Sequence, residues 1–196
     1  MCGIAGLADF DGRGIDAGVL DAMCAALRHR GPDDQGTVVW PPAGRTAGAS
    51  VGLGNRRLSI VDVQGGHQPI ANETGDVWTV LNGEIYNHDE LRQRLIGLGH
   101  RFATRSDTEV LVHAYEQYGE ACVEHLDGMF ACAFWDAARE RLVLARDRFG
   151  KKPLCYWHDG TRLAFASELQ ALACVPGLPR TLDTEALGDY LAYMCV

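Results

Sequence analysis

Apolar positions recur along the chain with two different periods. Over residues 15–29, Ile15, Val19, Leu20, Met23 and Leu27 fall at helical spacing, and Gly31-Pro32 ends the run. Leu91, Leu95 and Leu98 predict a second helix over 88–98. Val110, Leu111, Ala114 and Tyr118 predict a third over 107–118. The third opens on Ser106-Asp107-Thr108-Glu109, a capping-box pattern, and Gly119 follows its end. Strand-like runs occupy 2–10, which is rich in small residues, and later 129–135, 142–146, 154–158 and 163–166, with turns at 136–141 and 159–162. A short helix follows from Glu168, and another begins near Asp183. Residues 41–49 read as a turn-rich loop between two short strands. Strand runs and helix runs are segregated rather than alternating. That predicts antiparallel sheets covered by helices, an α+β fold.

With 196 residues, the chain is long enough for one domain with a sizeable core, or for a domain and part of a second. Pro-Gly-Leu-Pro at 176–179 marks a boundary between a domain over 2–175 and a connecting segment over 176–196. The last residues are apolar, so a longer parent chain is expected. Hydrophobic residues make up 47% and charged residues 22%, as in soluble globular proteins. With 18 Lys and Arg against 26 Asp and Glu, the formal net charge of −8 disfavours nucleic acid as a general partner. The basic cluster Arg146, Arg148, Lys151 and Lys152 reads equally well as a solvated turn. No apolar run is long enough to span a bilayer, and the N-terminus lacks the basic region of a secretory signal. A cytoplasmic protein without a membrane partner is therefore expected. The seven cysteines are irregularly spaced, with no zinc-type spacing, and no metal site is expected. Most should be small buried hydrophobes, as Cys24, Cys132 and Cys155 are by pattern.

Cys2 is different in chemical kind. Removal of Met1, expected before a small side chain, leaves an α-amine beside a thiol. An α-amine has a reference pKa of roughly 7.7–8.0, so one residue supplies both nucleophile and base near neutrality. Taken alone, Cys2 reads more readily as a small residue near a terminus than as a nucleophile.

The opening Met-Cys-Gly-Ile-Ala-Gly resembles the start of the class II glutamine amidotransferases, an N-terminal nucleophile family. Five further segments follow in that family's order: Arg28-His29-Arg30-Gly31-Pro32-Asp33, Arg57-Leu58-Ser59-Ile60-Val61-Asp62, Asn82-Gly83-Glu84-Ile85-Tyr86-Asn87-His88, Arg105-Ser106-Asp107-Thr108-Glu109, and Arg146-Asp147-Arg148-Phe149-Gly150-Lys151-Lys152-Pro153-Leu154 with Phe165-Ala166-Ser167-Glu168 behind it. Their wording is similar to the asparagine synthetase branch. The resemblance implies a four-layer αββα sandwich, two antiparallel sheets face to face between helices. It implies L-glutamine as substrate, hydrolysed to glutamate and ammonia.

It also implies roles. Cys2 is the nucleophile, and the Asn82 side chain and Gly83 backbone form the oxyanion hole. Arg57 takes the α-carboxylate, Glu84 and Asp107 the α-ammonium, and Ile60 and Val61 complete the substrate pocket. Each has a plainer alternative: Arg57 a surface arginine beside Arg56, Asp107 a helix-terminus carboxylate, Glu84 a solvated loop carboxylate, and Asn82-Gly83 a hairpin turn in a loop. Arg30, Asp33, Asp147 and Glu168 are expected to order loops, and no histidine is given a catalytic role. No cofactor is expected in this domain. ATP and Mg²⁺ are expected only in a synthetase domain, because the S-G-G-x-D-S loop of such a domain does not occur here. That domain, attached or associated, is the expected partner, and a homodimer of the full-length protein is one assembly the resemblance allows. Two other readings stay open. One is the same domain from a relative that amidates another carboxylate. The other is a catalytically silent scaffold.

Overall fold

The computed structural model of the chain describes residues 1–40, 49–60, 62 and 65–194. Nine strands form two sheets among these residues. The first is ordered β2 (Asp34–Trp40), β3 (Ser50–Arg57), β1 (Gly3–Asp9), β9 (Arg162–Ala166) and β8 (Cys155–His158). The second is ordered β4 (Ile70–Ala71), β5 (Val77–Ile85), β6 (Gly128–Asp136) and β7 (Arg141–Arg146). Every strand pair described is antiparallel.

Three apolar layers separate four structural ones. Ile4, Leu53, Val80, Ala133 and Phe165 fill the space between the sheets. Leu20 and Met23 of α1 (Ala17–Ala26), with its C-cap Leu27, pack with Leu172 of α4 (Leu169–Leu172) on the outer face of the first sheet. Leu91 and Leu95 of α2 (His88–Gly97), with Val110 and Leu111 of α3 (Asp107–Tyr118), cover the second. The αββα expectation holds. Sheets covered on both faces explain why β1 and β3 are buried at every position and show no polar alternation.

Most predicted elements stand within a residue or two of their expected ends. Helix α1 is shorter than the 15–29 run. Asp16 caps its start by accepting the Gly18 N–H at 2.8 Å. At its other end the Arg28 and Arg30 N–H groups bond three residues back, to Ala25 and Leu27, so the chain tightens into turns. At α3, Ser106 caps the helix through the Thr108 N–H at 3.2 Å. Glu109 does not close the expected box, since the Ser106 N–H donates to Thr104 Oγ1 instead. It reaches past Ser106 to the N–H groups of Ala103 and Thr104, at 2.6 and 2.7 Å. A 3-10 helix over Gly119–His125 and a last helix α5 (Thr184–Tyr193), capped by Asp183, complete the set. Most of the 41–49 loop, and Cys195, lie outside the described residues.

Gly6 leaves room for the ring of its β9 partner Phe165, which lies across it into the core between the sheets. A Cβ there would lie 2.2 Å from the Phe165 ring and 2.9 Å from the Gly52 carbonyl. Overpacking of this kind costs about 1–3 kcal/mol. Gly6→Ala is expected to lower unfolding stability by about that much in urea titrations, and Phe165→Leu in the same chain to recover part of the loss. Unchanged stability in Gly6→Ala would show that the Phe165 ring does not depend on the space left by Gly6.

Candidate active site

The register of β1 places the site. Gly3 lies opposite Arg56 in the β1–β3 ladder, so the next step brings Cys2 opposite Arg57. Arg30 fixes this end of the chain. Its Nε donates to the Cys2 carbonyl at 2.9 Å, while Nη1 pairs with Glu168 at 2.6 Å. Ile4 and Ser167 exchange hydrogen bonds two residues further on, at 3.0 and 2.9 Å. The Leu58 N–H donates to Cys2 Sγ at 3.4 Å, and Sγ lies 3.7 Å from the Leu58 carbonyl. Burial pushes the thiol pKa up. The Leu58 N–H, the terminal ammonium and Arg57 offset part of that, while Asp107 adds to it.

Asn82 and Gly83 are not in a turn. They sit inside β5, paired with Ala131 and Phe130, so the hairpin-loop alternative is corrected. Tertiary pairing overrides the turn preference of Asn-Gly. A Cβ on Gly83 would meet the Met129 carbonyl at 2.1 Å, so only glycine fits against β6.

The ladder also settles where the Gly83 N–H points. Phe130, its partner, exchanges hydrogen bonds with Asp147 on its other side, at 2.8 and 3.2 Å. The Phe130–Gly83 pair is therefore a non-hydrogen-bonded one, and the Gly83 N–H faces away from β6. So do its neighbours two residues either way. Leu81 N–H donates to Gln68 Oε1 at 2.7 Å, and Ile85 N–H to Asp107 Oδ2 at 3.2 Å. Between these two capped groups, the Gly83 N–H opens on the cleft. Asn82 is fully buried and faces the other sheet, its Nδ2 lying 3.5 Å from Ser167 Oγ.

Arg57 is only 5% exposed, which removes the surface alternative. Its Nη2 donates to the Asp62 carbonyl at 2.7 Å. The turn around it is fitted to the guanidinium, since a Cβ on Gly66 would lie 2.2 Å from Nη2. Asp62 holds that turn with a positive φ of 48°, accepting the Gly65 and Arg105 N–H groups. Those two bonds keep its carboxyl below the usual range. Asp107 opens α3 and is buried, which raises its pKa above an ordinary aspartate. Glu84 is half-buried in β5 rather than in a solvated loop.

Cys2, Arg57, Ile60, Asn82, Gly83, Glu84 and Asp107 all line one cleft. Val61 lies outside the described residues. The whole chain, residues 1–196, matches the glutamine amidotransferase domain family. The chain belongs to that family. It is 41% identical over 192 residues to asparagine synthetase [glutamine-hydrolyzing] 3 of Bacillus subtilis, covering 96% of this chain and 30% of that protein. Against asparagine synthetase [glutamine-hydrolyzing] 2 of Oryza sativa it is 43% identical over 148 residues, 75% of this chain and 23% of the relative. The chain thus spans under a third of these relatives. A solved glutamine phosphoribosylpyrophosphate amidotransferase from B. subtilis superposes with a TM-score of 0.67 over 88% of this chain and 43% of the other. At 21% identity that likeness speaks for the fold.

The amidotransferase domain also places residues in the cleft that the sequence reading gave no role. Gln68 is buried and bridges β5 to α3, its Nε2 donating to Thr108 Oγ1 at 3.1 Å. Lys152 is only 4% exposed and lines the cleft, so the solvated-turn reading of its cluster fails at this residue while holding for exposed Arg148 and Lys151. Asp147 makes the difference. Its carboxylate accepts the N–H groups of Phe130, Phe149, Lys151 and Lys152 and folds the loop inward. The other expected loop-ordering residues also make backbone or ion-pair contacts. Asp33 accepts the Ser59 N–H at 2.9 Å, and Arg30 and Glu168 pair as above. Among the described residues no helix is long and apolar enough to cross a membrane.

With Met1 in place, the Cys2 thiol should titrate above a free cysteine. Its alkylation by iodoacetamide, followed by peptide mass spectrometry, is expected to rise with pH around a midpoint shifted upward. Arg57→Ala should shift it further, because a cation that stabilises the thiolate is gone. A profile centred at or below that of free cysteine would contradict this account of the site.

Proposed function

We propose that this domain hydrolyses L-glutamine to glutamate and ammonia through a thioester on Cys2, and that the ammonia serves an asparagine synthetase. The observation that carries the reading is the convergence, in one cleft, of a thiol, an outward-facing strand N–H, a buried arginine and two carboxylates. The glutamine α-carboxylate pairs with Arg57, where a guanidinium offers a bidentate, charge-assisted contact. Its α-ammonium sits between Glu84 and Asp107, leaving the side-chain carboxamide directed at Cys2. Ile60 completes the pocket wall.

Once Met1 is removed, the Cys2 α-amine takes the thiol proton and Sγ attacks the carboxamide carbon. The oxygen gains charge and is held by the Gly83 N–H and the Asn82 amide, in positions fixed before reaction. The α-ammonium then protonates the leaving nitrogen, ammonia departs, and the γ-glutamyl thioester remains. Water activated by the same amine breaks the C–S bond, releasing glutamate and restoring the thiol.

The acceptor is assigned by likeness. Relatives around 40% identical are named asparagine synthetases, so the ammonia is meant for a β-aspartyl-AMP made in a synthetase domain. ATP and Mg²⁺ belong to that half, and the glutaminase steps need no cofactor. The protein is expected in the cytoplasm. The assembly we expect pairs this domain with its synthetase partner, with no role for nucleic acid or membrane.

The test is an intact mass spectrum before and after exposure to a diazo-ketone analogue of glutamine. The expected result is loss of Met1 and gain of one adduct on Cys2, blocked by glutamine. An adduct on another cysteine, or active protein retaining Met1, would overturn the mechanism. In steady-state assays, Cys2→Ala should abolish hydrolysis. Asn82→Ala should lower kcat by about 10²–10³-fold with little change in KM, and Arg57→Ala should chiefly raise KM.

A further inference from the structure

Four side chains that take no part in the cleft converge where the β4–β5 turn and the α2–α3 connection meet α3. Glu73 lies between β4 and β5, and His100 lies in the connection from α2 to α3. His113 and Glu116 stand one turn apart on α3. One donor atom from each lies within 4.8 Å of the other three. His113 Nδ1 is 2.9 Å from Glu116 Oε2 and 3.3 Å from Glu73 Oε2, and His100 Nδ1 is 3.5 Å from Glu116 Oε2. Four nitrogen and oxygen ligands at about 2.0–2.1 Å from a tetrahedral ion stand about 3.3–3.4 Å apart.

The opposite atom of each of these groups faces a second polar group. His100 Nε2 lies 3.2 Å from Gln117 Oε1, and fully buried His113 turns Nε2 toward Glu109 Oε1 at 3.7 Å. Asn72 Nδ2 donates to Glu116 Oε1 at 2.7 Å, and the Arg101 N–H to Glu73 Oε1 at 3.4 Å. The Gln117 oxygen at His100 Nε2 favours the tautomer with its proton there, and the Glu109 carboxylate favours the same tautomer of His113 by charge, without a closed hydrogen bond. Each Nδ1 then presents a lone pair to a carboxylate oxygen, an arrangement that needs positive charge between them. A proton on His113 Nδ1 points at one oxygen only, yet that nitrogen faces both glutamates, and Glu116 Oε2 faces both histidines. One cation at the centre satisfies all of these contacts together.

We propose that Glu73, His100, His113 and Glu116 bind one divalent transition-metal ion of the zinc class. Two carboxylates balance its charge, and two imidazoles favour such an ion over calcium or magnesium. The ion would fasten the β4–β5 turn and the α2–α3 connection to α3. That connection runs on through Ala103 and Thr104, gripped by Glu109, to Asp107 in the cleft. The role is structural, and it is independent of the Cys2 chemistry.

Cobalt(II) is the probe, added to reduced, EDTA-treated chain. We expect uptake of about one ion per chain, with the visible bands of tetrahedral nitrogen and oxygen ligation and a raised thermal midpoint. No thiolate charge-transfer band should appear in the near ultraviolet. Glu73→Gln, at an exposed side chain, and His100→Gln should each weaken cobalt affinity by at least about tenfold. Both should leave the circular dichroism of the metal-free protein unchanged. Absence of stoichiometric uptake, unchanged affinity in both variants, or a thiolate band would each overturn the proposal, the last by assigning the ion to cysteine.

Discussion

One ladder register holds the rest of the molecule in place. Strand β1 lies at the centre of its sheet and pairs on both sides, with Gly3 opposite Arg56 and Ala5 opposite Ala166. Because side chains alternate between faces, a slip of one residue would turn Ile4 out of the inter-sheet core and move Cys2 away from Arg57. Arg30 reinforces the register from outside the sheet by binding the Cys2 carbonyl and Glu168 at once. The free end of a chain normally frays. Here it is tied by a strand on each side and an ion pair, so the residue that ought to be least ordered is held against its neighbours.

The second sheet supplies what the first lacks. Three successive outward N–H groups of β5 meet Gln68, the cleft and Asp107 in turn. A strand edge with unpaired donors is ordinarily a liability. In this protein two side chains from other elements satisfy the flanking donors, and only the middle one faces the ligand space. The same two side chains brace α3 against β5, so support for the fold and placement of the donor are one set of contacts.

How far the sequence discloses this depends on whether a feature is local. Cys2, Arg57, Glu84 and Asp107 sit in short segments whose order along the chain carries the family resemblance, and their common cleft follows from that order. The strand identity of Asn82-Gly83 is hidden, because the dipeptide's local chemistry favours a turn and only pairing with Ala131 and Phe130 decides otherwise. Lys152 looks solvated because nothing nearby in sequence announces that Asp147 folds the loop inward. The group of Glu73, His100, His113 and Glu116 is less legible still. Only the helical spacing of the last two is local, and the other two arrive from separate connections.

The position of the Gly83 donor within a nine-residue strand has a consequence for descent. A loop donor can drift by insertion or deletion without harm to the core, whereas this one is inherited with the sheet. On the mechanism proposed above, a lineage that exchanged Cys2 for an inert residue would lose turnover in a single step and still keep the cradle for a carboxamide. Such a copy would begin its own history as a receptor for an amino acid, with affinity already in place and only its output left to be invented.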